Sequence, residues 1–137
     1  MINLADIAPT FWFVLGKGLE PGQSDYKPHE FGNAVFEMVG KPFSLRFERD
    51  RGQVFVDVGS TVSGWYKLEY VLEFLDKAVS EQQLGAPPNP AVMAGLLQLN
   101  WEKVVGLFDD QDRTLQLEIF TKQKSEVLLS KFFRKMP

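Results

Sequence analysis

The sequence predicts an α+β fold, in which a three-stranded antiparallel meander over about residues 33–58 has one apolar face packed by helices at about 3–16, 64–79, 90–108 and 111–134. Three observations carry that expectation. The segments "NAVFEMV", "FSLRFE" and "QVFVDV" each alternate apolar and polar residues with the period of two that a half-buried strand requires. Their connections are short and admit a register in which inward residues face only apolar partners. The flanking stretches instead space their apolar residues at helical intervals and are separated by turn formers.

In chain order, Leu4, Ile7, Phe11 and Leu15 recur at helical spacing, with Pro9 either breaking this first helix or starting a second piece at its first turn. "PGQSDYKPHE" is rich in turn formers and reads as a loop. For the meander, Gly40 and Lys41 fit a type II′ hairpin that sets Met38 opposite Phe43, Phe36 opposite Leu45 and Ala34 opposite Phe47. With Arg49 to Gly52 as the next connection, Phe47 faces Val54, Leu45 faces Val56 and Phe43 faces Val58. A slip by one residue would mix the two faces in either hairpin.

The helices follow. Trp65, Leu68, Leu72, Leu75 and Val79 form one stripe, with Ser63 as N-cap. Asn89 is the next candidate N-cap, with Pro90 in the first helical position, and Met93, Leu97, Trp101, Val104 and Phe108 continue a stripe up to the acidic "DDQD". The last segment can be read two ways. "TLQLEIF" alternates like a strand, yet the stretch from Asp112 to Lys135 contains no Gly or Pro and ends in Lys and Arg, which favours a helix.

A chain of 137 residues is one domain's worth, and it is read as a single domain, 1–137. The 45% hydrophobic and 24% charged content is that of a soluble globular protein, and the net charge of -3 opposes general attraction to nucleic-acid backbones or anionic lipid. The chain has no Cys, which excludes disulfides and thiolate chemistry and suits the cytoplasm. "FWFVLG" is too short to span a membrane, and no basic n-region precedes it.

No catalytic constellation emerges, and no cofactor or metal is expected. His29 is the sole histidine, lies in a loop and has no G-x-S-x-G elbow to serve. "LGKGLEPGQS" matches no phosphate-binding pattern. Asp109 to Asp112 resemble a hard-cation cluster, but an EF-hand loop from Asp110 would need Gly and Glu where Leu115 and Thr121 stand, so helix capping accounts for them better. The basic C-terminal residues, with Phe132 and Phe133, are read as a solvated amphipathic helix end rather than a nucleic-acid contact.

The polar face of the meander stands out. It carries Glu37, Ser44, Arg46, Glu48, Gln53 and Asp57 and one large exception, Phe55, placed opposite Arg46 in the expected register. Phe55 is either shielded by the arginine stem or is an aromatic anchor for a partner, the type of residue that dominates protein interfaces. The candidate partner-binding residues are Arg46, Glu48, Asp50, Arg51, Phe55 and Asp57, with Asp109 and Asp110 as an acidic spot.

At "RFERDRGQVFVDVGS", "WYKLEYVLEFLD" and "NWEKVVGLFDD" the chain resembles small bacterial α+β proteins similar to immunity proteins of polymorphic-toxin and contact-dependent systems. The likeness covers roughly residues 31–110 and carries no catalytic residue. It implies a cytoplasmic protein that neutralises a toxin or enzyme by steric and electrostatic occlusion. A self-associating adaptor, using Phe55 or the C-terminal helix, is the alternative, and an enzyme built on carboxylates a third.

Overall fold

Five strands form one antiparallel sheet in sequence order: β1 (Glu20–Lys27), β2 (Asn33–Val39), β3 (Ser44–Asp50), β4 (Gln53–Ser60) and β5 (Gly64–Lys67). A 3₁₀ helix (Pro9–Lys17) precedes them, and five α-helices follow: α1 (Leu68–Leu75), α2 (Glu81–Leu84), α3 (Pro90–Leu99), α4 (Trp101–Asp109) and α5 (Gln111–Arg134). This computed structural model describes residues 4, 8–27, 29, 33–79, 81–85 and 87–134. The class is α+β, but the sheet is wider than the expected three-stranded meander by an edge strand on each side.

Both extra strands hide their pattern. β1 contains Pro21 and Gly22 and is interrupted by a register shift between Pro21 and Ser24, which an edge strand tolerates because one side of its ladder needs no partner. β5 occupies the start of the expected 64–79 helix, so Trp65 leaves the helical stripe and Ser63 is no N-cap. The Ser63 hydroxyl instead shares a hydrogen bond with Ser60 Oγ at 3.1 Å in the β4–β5 turn, and α1 begins at Leu68 after Lys67. Asp76 ends α1 in extended backbone, so Val79 is buried from beyond the helix.

The registers keep their faces but slip by two residues. Met38 faces Leu45 and Phe36 faces Phe47, because Pro42 has no N–H for a ladder and the β2–β3 connection widens to Gly40–Phe43. Ser44 Oγ closes that turn, accepting from Gly40 N at 3.1 Å. In the second hairpin the turn tightens to Arg51 and Gly52, both with positive φ (52° and 82°), as a type I′ turn demands. Phe47 therefore faces Val56 and Leu45 faces Val58, while Phe55 faces Glu48 and not Arg46. An even slip preserves which side chains point inward, so the apolar face survives.

The expected 3–16 helix falls partly outside the described residues; what is described is a 3₁₀ helix from Pro9. Its three-residue period buries Ala8, Phe11 and Val14 and turns Leu15 outward at 38% exposure. The expected 90–108 helix breaks at Asn100, which leaves helical backbone (φ -107°, ψ 16°) and caps the first piece, its side-chain amide and its backbone N–H both donating to Leu96 O at 2.8 and 3.0 Å. Asn89 does cap α3, accepting from Ala91 N and Val92 N, with Pro90 behind it. The last segment is helical over Gln111–Arg134.

The inner sheet face packs on these helices in one core. Phe36, Phe47, Leu45, Val56 and Val58 are all buried there with Leu72, Leu97, Val104 and Leu117. Phe11 meets Phe47 edge-on at 5.1 Å, and Phe43 lies 5.0 Å from Trp101, so aromatic contacts tie the N-terminal helix and α4 to the sheet.

Candidate protein-binding face

With the helices on one side, alternate residues of the same strands form an outer face. Its central row runs across four strands: Glu37 faces Arg46, Arg46 faces Asp57, and Asp57 faces Lys67. The charges alternate in sign along the row, which is the favourable cross-strand arrangement. Arg46 Nε donates to Glu37 Oε1 at 3.3 Å, and the guanidinium lies 4.1 Å from the centre of the Trp65 ring. Arg46 is thus held by a hydrogen bond on one side and a cation–π contact on the other.

The tryptophan reaches that position because its cross-strand partner is Gly59. A Cβ on Gly59, where φ is +155°, would collide with the Gly64 carbonyl, so β4 and β5 approach this closely only at a glycine. Trp65, Lys67 and the neighbouring Glu69 were absent from the sequence-derived candidates. Their signal is the alternation in "GWYKL", Trp65 and Lys67 outward against Tyr66 and Leu68 inward, which the stronger helical stripe masks.

Burial holds the Asp57 carboxyl above the usual carboxylate range, with Arg46 and Lys67 pulling it down and Glu48 adding to the rise. Glu69, at the start of α1, is also raised, chiefly by burial, and Asp57 adds to it while a backbone hydrogen bond and Lys67 oppose. Glu69 separates two surface cavities that share Pro87 and Pro88. One, of about 370 Å³, runs to Lys124 and Val127; the other, of about 300 Å³, reaches Phe55 and Met93.

Phe55 is 41% exposed, which decides between shielding and display. It lies beyond the reach of β5, whose pairing with β4 starts at Asp57, and Arg46 is engaged with Trp65 rather than covering it. Val39, at 48% exposure, is a second exposed apolar side chain on this face.

The sequence-predicted residues separate into three places. Arg46, Glu48, Phe55 and Asp57 share the outer face. Asp50 and Arg51 sit at the hairpin tip, where their charges are 4.0 Å apart and exposed and Arg51 N donates to Asn33 Oδ1 at 2.9 Å. Asp109 lies at the opposite end of the strands, in a groove with Lys41, Pro42 and the Ser60–Ser63 turn. Asp110 caps α5, accepting from Asp112 N at 3.0 Å and Arg113 N at 3.3 Å, so it is fixed as a helix terminus rather than joined to the face.

No family model matches the chain, and neither the curated proteins nor the solved structures contain a match to it. Among the described residues no helix is long and apolar enough to cross a membrane.

Proposed function

We propose that the protein binds another protein through the outer face of its sheet and acts there as an immunity-type inhibitor that occludes a toxin or enzyme in the cytoplasm. The observation that carries this reading is Phe55, 41% exposed beside an ordered row of alternating charges. An aromatic ring amid charge is the composition of an interface anchor. Arg46 is already fixed by Glu37 and Trp65, so binding immobilises little that is not immobile beforehand. The net charge of -3 favours encounter with a basic partner surface. No cofactor is needed.

The carboxylate-enzyme alternative gains less support. Of the raised pair, Glu69 lines the two cavities and Asp57 lines neither. The test is a pull-down from the native host with the wild type as bait, followed by co-expression with the toxic partner it captures. Growth rescue by the wild type, lost in Phe55→Glu while the variant keeps its circular dichroism spectrum, supports the proposal. No rescue by the wild type, or rescue indifferent to Phe55→Glu, overturns it.

A further inference from the structure

The longest helix is covered on only one side. Over its first half α5 buries Leu117 and packs Phe120 at 5.5 Å from Phe74, while Lys124 pairs with Glu73 at 2.9 Å. From Ser125 to Ser130 every side chain is exposed, including Val127, Leu128 and Leu129 at 54%, 58% and 55%. A helix of 24 residues is about 36 Å long, so its C-terminal part runs past the cover that the body provides.

The uncovered side has a definite pattern. At 100° per residue, Leu115, Ile119, Lys122, Glu126 and Leu129 fall on one stripe opposite Leu117 and Lys124. Leu115 and Ile119 are each 57% exposed and Lys122 70%. Beside the stripe, on the side of Glu118 and away from Ile119, a groove runs between α5 and the free edge of β5. One stretch, of about 1160 Å³, takes in Leu115, Glu118, Trp65 and Tyr66; the next, of about 460 Å³, takes in Lys122, Glu126, Leu129 and Tyr70.

This stripe is complementary to itself when reversed. If a second α5 lies antiparallel with its two-fold axis at position 124, residue 119 meets 129′ and residue 122 meets 126′. The contacts are then Ile119 with Leu129′ and Lys122 with Glu126′, each made twice by symmetry. Apolar meets apolar and cation meets anion. A parallel pair would set Lys122 on Lys122′ and Glu126 on Glu126′, so charge excludes that orientation.

We propose that a second copy of this chain is the occupant of this stripe: two molecules pair through the exposed stripes of antiparallel α5 helices. The interface lies along α5 beside the β5 edge, where it adjoins Trp65 and Lys67 of the outer face, and it leaves Phe55 beyond β5's reach. Dimerisation is thus a property additional to partner binding at Phe55.

Sedimentation velocity on the full chain across a concentration series tests it. The wild type is expected to show a monomer–dimer equilibrium. Lys122→Glu alone and Glu126→Lys alone should each weaken it about tenfold, since two attractive contacts become repulsive. The double exchange K122E/E126K should restore it, and an equimolar mixture of the two single variants should form a heterodimer more tightly than either pairs with itself. Both positions are exposed, and helix content read by circular dichroism separates loss of pairing from loss of α5. A wild type that stays monomeric throughout, or single reversals that leave the equilibrium unchanged, overturns the proposal. So does a dimer lost in both single variants and not recovered in the double exchange or the mixture.

Discussion

The two faces of the sheet are built from alternate residues of the same strands, yet they rest on different physics. The inner face holds Phe36, Phe47, Val56 and Val58 at no more than 3% exposure, in a core where volume and shape decide. The outer face holds Glu37, Arg46, Asp57 and Lys67 in a row whose interactions are partly solvated and individually small. Stability therefore resides inside, and the outer residues are free to be chosen for recognition. Phe55 makes the contrast sharpest, being an aromatic residue of the second hairpin, like Phe47, but facing the other way.

The difference breaks most visibly at Phe47. Phe47→Ala empties a site packed edge-on against Phe11, and unfolding by denaturant should show a loss of about 3–5 kcal/mol. Next comes Gly59→Ala, where the added methyl meets the Gly64 carbonyl and drives β4 from β5; the same titration should register about 1–3 kcal/mol, with Trp65 fluorescence reporting the displacement. On the outer face the effects shrink. Arg46→Ala removes the contact with Trp65 and the bond to Glu37 and should cost about 1 kcal/mol, with Arg46→Lys recovering only part because the planar stack is gone.

The smallest effect is one of pH. Folding raises the Glu69 carboxyl above its unfolded value, mainly by burial, so the folded chain holds that proton more tightly. Its contribution to stability is complete below the unfolded pKa and is lost as pH rises through the raised folded value. Glu69→Gln should therefore flatten the stability profile across that acidic window and leave the protein slightly more stable at neutral pH. A variant whose profile stays parallel to the wild type would contradict the assignment.

How far each face was legible follows from the same contrast. The inner face depends on parity alone, so it was readable even though both hairpin registers slip by two: Pro42's missing N–H moved one, and the positive φ of Arg51 and Gly52 moved the other. The edge strands were not readable. β1 is polar and interrupted at Pro21, and the four residues of β5 adjoin a helix whose stripe absorbed Trp65. That displacement hid the partner of Arg46, because a cation–π contact across two strands depends on a register that local spacing does not contain. Arg46, Glu48, Phe55 and Asp57 were found from alternation, whereas Glu69 required knowing that α1 starts at Leu68. The helix at 111–134 was legible from its lack of breakers, and its cap from Asp110.

Phe55→Glu offers the most direct test of the division between a face that holds the fold and a face that binds. Its unfolding free energy and its capacity to rescue growth against the captured toxic partner should be measured side by side. A free energy within about 0.5 kcal/mol of the wild type together with loss of rescue is the expected result. Full rescue by a folded Phe55→Glu variant, or a large loss of stability, would contradict it.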